Sequence, residues 1–503
     1  MMSRLFAALV PFAAVLAALC LPASSSRVDS SIELRPSTMP RLGSIDERFQ
    51  SYNIEMVEVT GGNFWRPYRQ YDKNSSLFSY RRPIDLTNPR LRKLAAALGP
   101  AYLRVSGTWA NSTYFDDEDA KETSKRTSPP SGFNTVLTRK QWRGVVEFAR
   151  AVDVRIITSF ATSAGTRDVH GAWTSAQADK LIATTHALGG EIAAAEFTNE
   201  PSGDDAAGYG RDIALFRSFL KRASPETMLL GPGTIGGADA DSVIAAKKLL
   251  AVSGPVFDAI SYHYYGAASQ RCTHVVPSAA ARDENALSES FLSGTERAEY
   301  LYADLRETLA PGKPLWITET AAAACGGNRW DSTFLDSFRY LDQLGRMARR
   351  QVQVVSHNTL AASDYGLLDE TSFAPRPDYW AALLWRRLMG TTVLDPGTSS
   401  APGFYLYAHC LRSRRGGVAL LAINTDRGAS RSLELPMPAS RIMLTADHLT
   451  DRSVRLNGRE LGLGHRDELP SLEGEPVAAG RLDLVAASIS FLAVPDAANP
   501  ACL

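Results

Sequence analysis

Two hydrophobic rhythms alternate along the chain from about residue 50 to 390. Short runs of β-branched, aromatic and small apolar residues are YNIEMVE from Tyr52, AYLRVSG from Ala101, VRIITSF from Val154 and IAAAEFT from Ile192. They continue as MLLGPG from Met228, FDAISYHYY from Phe257, PLWITET from Pro314 and VQVVSHN from Val352. Between them lie stretches such as LRKLAAAL, RKQWRGVVEFARAV, DIALFRSFLKRA and STFLDSFRYLDQLGRMARR, whose apolar residues recur at i, i+3 and i+4. Near-continuous apolar runs predict strands buried on both faces, and the 3.6-residue period predicts amphipathic helices over them. About eight strand–helix units in about 340 residues predict a (β/α)8 TIM barrel over residues 50–390 in preference to an open doubly wound sheet. After Met389 the helical period stops. FYLYAHC, GVALLAIN, SLELPM, SVRLNG and SISFLAVP alternate and are punctuated by Gly, Pro, Asn and Asp, which predicts an antiparallel β-sandwich over residues 391–503. Residues 26–49, containing SSIELRP, are a candidate strand of that sandwich.

Composition narrows the picture. The 503 residues are 45% hydrophobic and 21% charged, enough apolar material for a large core. Lys+Arg and Asp+Glu both number 54, so global charge gives no drive towards nucleic acid. At the start, Arg4 precedes the apolar run Leu5 to Leu21 and the small residues that follow Pro22, which predicts a signal peptide over residues 1–25. A retained membrane anchor is the rival reading, and no later stretch is a candidate span. The mature chain is therefore expected to be secreted, or lumenal in a lysosome-like compartment.

Export changes the reading of the cysteines. Beyond Cys20, four remain: Cys272, Cys325, Cys410 and Cys502. An even number suggests two disulfides, with three pairings open, and their spacing fits no zinc motif. Asn74 (NSS) and Asn111 (NST) are glycosylation acceptors if the source glycosylates. The stretch Asp116 to Gly132 reads as a charged, Ser/Pro-rich loop.

The candidate chemistry sits where the predicted strands end. Glu55, Ser106, Thr108, Asn199, Glu200, His263, Tyr265, Glu319, His357 and Asn358 all fall near those ends, which in a barrel form one face. Glu200, followed by Pro201, closes the fourth strand, and Glu319 closes the seventh. Taken alone, each could be a surface or helix-start glutamate. Together they match retaining glycoside hydrolysis, which needs an acid/base and a nucleophile with carboxyl groups about 5–5.5 Å apart. Gly231, Gly233 and Gly236 have the GxGxxG spacing, but Pro232 interrupts it and no helix opens there, so nucleotide binding is set aside. His263 and His357 lack ligand spacing, so hydrogen bonding is preferred and no metal or cofactor is expected. Trp173, with His170, is either a sugar-stacking residue or ordinary loop packing.

From about residue 48 to the last cysteine, the chain resembles the heparanase-type β-glucuronidases of glycoside hydrolase family 79. The segments that carry the resemblance are PAYLRVSGT, EFTNEPSG, DAISYHYY, LWITETAAAACGG, SDYGLLDE, RPDYWAALLWRRLMGTTVL, YLYAHC and the closing ACL. It implies that Glu200 is the proton donor and Glu319 the nucleophile. It also implies that Asn199, Glu55 and Thr108 contact the sugar and that Tyr265 steadies the nucleophile; His263, at the end of its strand, is counted with the substrate-binding residues. Gly326, Gly327 and Tyr365 would hold a uronate carboxylate, though Cys325 stands where glycine is usual. The resemblance implies a Cys410–Cys502 disulfide; a Cys272–Cys325 bridge is a separate inference from their neighbouring loops. The expected substrate is a glucuronate-containing oligo- or polysaccharide. A glycosidase of the same clan acting on an arabinofuranoside or xyloside, and a non-catalytic carbohydrate-binding protein, are the alternatives. Because the Asp116–Gly132 stretch is short where relatives carry an excised linker, a single chain active without processing is expected.

Overall fold

A computed structural model of the protein describes residues 31–72, 74–118, 128–272, 282–397 and 402–503. The expected signal peptide and the middle of the Asp116–Gly132 stretch, on which the processing expectation rests, lie outside the described residues.

Eight strands form a closed parallel barrel. They are β1 (Gln50–Glu55), β2 (Ala101–Ser106), β3 (Val154–Ser159), β4 (Ile192–Glu196), β5 (Met228–Gly236), β6 (Ala259–Ala268), β7 (Leu315–Ala324) and β8 (Val354–His357). Register explains why polar residues gather at one end. Tyr102, Ile157, Ala194, Leu230, Ala259, Trp316 and Val354 form a separate apolar cluster contributed by seven of the strands. Two residues further along each strand, the period-2 geometry brings Arg104, Ser159, Glu196, Pro232, Ser261, Thr318 and Ser356 to the same side. A dry layer thus closes the barrel below, and a polar layer stands above it towards the C-terminal ends. The helices pack their apolar stripes outside. Arg139–Ala151, for example, opens on a Thr138–Gln141 capping box and buries Trp142, Val145, Val146 and Phe148 against the strands.

The first described strands belong to the other layer. Ile32–Glu33 pairs in parallel with Arg431–Leu435, and Arg41–Ser44 pairs antiparallel with Met389–Leu394. One sheet runs through Met389–Leu394, Phe404–Leu411, Val418–Asn424, Ser488–Val494 and Ala439–Thr445; a three-stranded sheet faces it. Leu406, Leu420 and Leu492 of the first meet Leu433, Leu435, Leu482 and Leu484 of the second in one core, which makes a β-sandwich. A disulfide joins Cys410 to Cys502 across a sequence separation of 92. Tyr407 of the sandwich donates to Asp342 on the helix Phe334–Arg349, tying the two layers together. Among the described residues no helix is long and apolar enough to cross a membrane.

Strand limits differ from the sequence reading at the residues that matter most. β1 stops at Glu55, and Met56–Thr60 is helical because Glu55 and Glu58 form a reciprocal capping box. Glu200 lies four residues beyond the last residue of β4, in the loop, whereas Glu319 lies inside β7, which continues to Ala324.

Candidate active site

Arg104 is the hub of the polar layer. It is 1% exposed, and it reaches across the barrel interior from β2. Nε donates to Glu196 on β4 at 2.8 Å, Nη1 to Glu319 on β7 at 2.8 Å and Nη2 to Asn199 Oδ1 at 2.8 Å. Nη2 also meets His263 Nε2 at 3.2 Å. An arginine can only donate, so His263 Nε2 accepts and its Nδ1 carries the hydrogen that Glu200 Oε1 receives at 2.8 Å. His263 and Glu319 are register partners on β6 and β7. One oxygen of Glu200, one of Glu319 and one nitrogen of His263 lie within 4.8 Å of one another. That spacing would suit a metal, but the Arg104 guanidinium already supplies the positive charge to this group.

The two glutamates experience different surroundings. Glu319 accepts from Tyr265 at 2.6 Å as well as from Arg104. Burial pushes its pKa up, but the Arg104 guanidinium and the hydrogen bonds from Arg104 and Tyr265 hold it below the usual carboxylate value. Among the described residues Glu200 has one hydrogen bond, from His263, and its side chain is 20% exposed. Burial first, then the negative charge of Glu319, push its pKa up, only partly offset by His263 and Arg104. One carboxyl is thus favoured as an anion and its neighbour as an acid. Glu200 also has φ 49°, an uncommon left-handed backbone for a residue with a side chain.

Glu55 closes the floor on the opposite side. Its Oε1 accepts from Asn358 Nδ2 at 3.1 Å, and that nitrogen also reaches the hydroxyls of Tyr265 (3.0 Å) and Tyr365 (3.3 Å). Its Oε2 is buried without a partner among the described residues. Burial and the charge of Glu319 push the Glu55 pKa well above the carboxylate range. Glu55 fits because Gly107, at φ 93°, has no side chain; a Cβ there would lie 1.5 Å from Glu55 Oε2. Thr108 follows, exposed at the rim.

The Gly-rich turn stands beside this group. Cys325, Gly326 and Gly327 are consecutively left-handed, at φ 62°, 80° and 85°. Their carbonyl side is tied back by buried Arg271, whose Nη2 donates to Gly326 O (3.0 Å) and Gly327 O (2.9 Å) while it also pairs with Asp364 (2.9 Å). Ser363 Oγ and Asp364 N–H donate to Gly326 O, and Ser269 Oγ to Gly327 O. The N–H groups of Gly326 and Gly327 donate to no hydrogen-bond partner among the described residues. Trp65 packs so closely on Gly326 that a Cβ there would lie 2.4 Å from its own Cβ.

The structure gathers Glu55, Asn199, Glu200, His263, Tyr265, Glu319 and Tyr365 into one site, with Gly326 and Gly327 at its edge. Two expectations are corrected, the Cys272–Cys325 bridge and Asn111 as an open acceptor, while Trp173 takes the packing alternative and His357 the hydrogen-bonding role. Cys272 and Cys325 are both free thiols; they lie side by side, within hydrogen-bond reach and perturbing each other's titration, without being bonded. Asn111 is no open glycosylation acceptor, because its carboxamide is engaged with Thr198 and Asn199, whereas Asn74 is exposed. Trp173 is 4% exposed and packs on Phe197 and Phe216, so it is core rather than a sugar platform. His357 is buried behind the site on Tyr365 O, with burial lowering its pKa to about 4. Arg104, Glu196 and Arg271 are the residues the motif reading missed. Arg104 had a visible signal: a charge in the middle of the apolar run AYLRVSG.

The sequence profile of Glycosyl hydrolase family 79, N-terminal domain, matches residues 63–345, more than half of the chain. Heparanase-like protein 1 of Arabidopsis thaliana is 28% identical over 501 residues, covering 87% of this chain and 90% of that one. Heparanase of Mus musculus is 26% identical over 550 residues, covering 96% of each. Among solved structures, a 4-O-α-L-rhamnosyl-β-D-glucuronidase from Fusarium oxysporum superposes with TM-score 0.61 at 15% identity, covering 92% of this chain and 100% of that one. A family 51 arabinofuranosidase from Xanthomonas axonopodis pv. citri superposes with TM-score 0.63 at 14% identity, covering 92% and 99%. The structural likenesses share the fold; the family assignment rests on the profile. The chain belongs to glycoside hydrolase family 79 and is a glycoside hydrolase.

Proposed function

We propose that this family 79 hydrolase cleaves β-D-glucuronosides in glucuronate-containing glycans with retention of configuration. Glu319 is the nucleophile and Glu200 the acid/base. The observation that carries this reading is the pair of opposed carboxyls, one oxygen of each within 4.8 Å of the other, with pKa values pushed apart by Arg104 and Tyr265 on one side and by burial and repulsion on the other. Nearest oxygens this close suit direct attack at the anomeric carbon better than a water held between two carboxylates.

In the first step Glu319 attacks the anomeric carbon while Glu200 passes its proton to the leaving oxygen. In the second, Glu200, now a carboxylate, takes a proton from water as that water displaces Glu319. Arg104 and Tyr265 keep Glu319 ionised before attack and stabilise it again as a leaving group. Asn199, oriented by Arg104, and Glu55 and Thr108 face the sugar hydroxyls.

A glucuronate carboxylate would seat on the Gly326 and Gly327 N–H groups beside the Tyr365 hydroxyl. Neutral donors suit it, because they bind the anion without setting a full positive charge against an oxocarbenium-like transition state. The Cys410–Cys502 disulfide supports an exported enzyme, since such bridges persist in oxidising compartments.

The test is hydrolysis of 4-nitrophenyl β-D-glucuronide against the matching glucoside, followed by NMR of the first-formed anomer. Preference for the glucuronide and a β-configured product are expected, with a 2-fluoro glucuronide trapping a covalent adduct on Glu319. An α-configured product, or preference for an arabinofuranoside or xyloside, would remove the proposal.

A further inference from the structure

Asn111 lies in the short turn Thr108–Ser112 that follows β2, and its side chain is committed to the peptide before Glu200. Asn111 Oδ1 accepts the Asn199 N–H at 2.8 Å, and Nδ2 donates to the Asn199 carbonyl at 2.9 Å. The carboxamide therefore lies on Asn199 as the peptide of a neighbouring strand would. Oδ1 also accepts from the Thr198 hydroxyl at 3.0 Å, and that hydroxyl meets Thr162 Oγ1 at 3.0 Å. The Asn111 carbonyl accepts the N–H groups of Thr162 (2.9 Å) and Ser163 (3.0 Å). One residue thus ties together the loops after β2, β3 and β4.

The geometry of the next residue makes that clamp matter. The Asn199 carbonyl and the Glu200 nitrogen share one amide plane, so whatever fixes the carbonyl fixes φ of Glu200. That φ is 49°, in the region where a Cβ crowds its own backbone. Pro201 further narrows the conformations open to Glu200. Turning the amide plane would relax Glu200 to negative φ and swing its carboxyl away from Glu319 and His263. We propose that Asn111 is a positioning residue for the proton donor: its two-point hold on the Asn199 peptide keeps Glu200 in the left-handed conformation that aims its carboxyl into the site. This rests on the reading of Glu200 as the acid/base.

The test compares kcat/KM of Glu200→Ala, Asn111→Ala and Asn111→Asp on aryl β-D-glucuronides whose phenols differ in acidity. An acid matters for a phenyl leaving group and hardly at all for 2,4-dinitrophenyl. Glu200→Ala is expected to lose about 10²–10⁴-fold on the phenyl substrate and little on the dinitrophenyl one. Asn111→Ala should copy the pattern at smaller scale, about tenfold or more against less than about threefold. Asn111→Asp keeps the acceptor for the Asn199 N–H but sets an oxygen against the Asn199 carbonyl. It is nearly isosteric, so it keeps the test available if the alanine variant fails to fold, and the same leaving-group dependence is expected.

Equal losses on all leaving groups, or wild-type behaviour, in the Asn111 variants while Glu200→Ala shows the dependence would overturn the positioning role alone. Absence of the dependence in Glu200→Ala would overturn the assignment of Glu200 and the positioning role with it. A glycan found on Asn111 of active enzyme from a glycosylating host would also overturn it, since Nδ2 lies against the Asn199 carbonyl.

Discussion

The two walls of the active site are built in opposite ways. The Glu319 wall is made of strand: Arg104 lies in β2 and is paired on both sides, while Tyr265 in β6 and Glu319 in β7 are held by the parallel register between those two strands. The Glu200 wall is made of loop: Asn199 and Glu200 lie beyond β4, and Asn111 in a turn beyond β2. In the first wall, backbone pairing fixes each Cα and the side chains bond one another. In the second, a side chain bonds the backbone in place of a neighbouring strand. Strand placement puts Glu319 deep, where Arg104 and Tyr265 offset its burial. Loop placement leaves Glu200 at the edge, with His263 its one hydrogen-bond partner among the described residues. The chemistry proposed for each carboxyl follows from where the chain puts it.

Removing the strand wall's carboxylate should have the largest effect. Glu319→Gln keeps size and burial but cannot form the covalent intermediate, so kcat should fall by at least about 10⁴-fold with the thermal melt little changed. Turnover near that of the wild type would sink the contrast between the walls.

A pH profile sharpens the contrast next. Glu319 must be ionised and its pKa is lowered, so activity is kept until pH falls below the usual carboxylate range. Glu200 must be protonated and its pKa is raised, so activity is lost only as pH rises through that elevated value. The profile of kcat/KM should therefore be a bell broader than two ordinary glutamates would give. Arg104→Lys loses the fork that grips Glu319, Glu196 and Asn199 together. With less to hold the Glu319 pKa down, the acidic limb should move to higher pH and kcat/KM should drop about 10²-fold or more. An unmoved acidic limb would show that Arg104 does not set the state of Glu319.

The smallest effect tests the turn beside both walls. Arg271→Gln removes the main tether on the Gly326 and Gly327 carbonyls. KM for an aryl glucuronide should rise about tenfold with kcat nearly kept, because the loss is one of ground-state and transition-state binding alike. A parallel rise for the glucoside would show that Arg271 supports the fold and not the carboxylate seat.

Much of this was legible in the chain. Each of the eight barrel strands was marked by an apolar run, because a strand covered on both faces tolerates little else. Glu200 and Glu319 stood out because a carboxyl at the end of such a run has no packing role. The partners of those glutamates were harder to see. Arg104 looks like an interruption of AYLRVSG until closure of the barrel brings β2 opposite β4 and β7. Asn111 looks like a glycosylation site because NST is a local pattern, whereas the Asn199 peptide that occupies it is 88 residues away. Cys272 and Cys325 were rightly placed as neighbours, yet whether two thiols bond depends on the directions of their side chains, which loop spacing does not encode.

By itself the sequence determined the order of strands and helices, the change of rhythm at the sandwich and the positions of the two glutamates, because periodicity and the cost of burying charge act locally. The family resemblance implied the two roles, but only the tertiary structure showed the surroundings that lower one pKa and raise the other, and which face of the Gly-rich turn is open. A pKa is set by every group within a few ångströms regardless of its place in the chain, and a carbonyl's partner is set by the loop that folds behind it. Arg104 and Arg271 act through space on residues far from them in sequence, so their roles exist only once the barrel has closed.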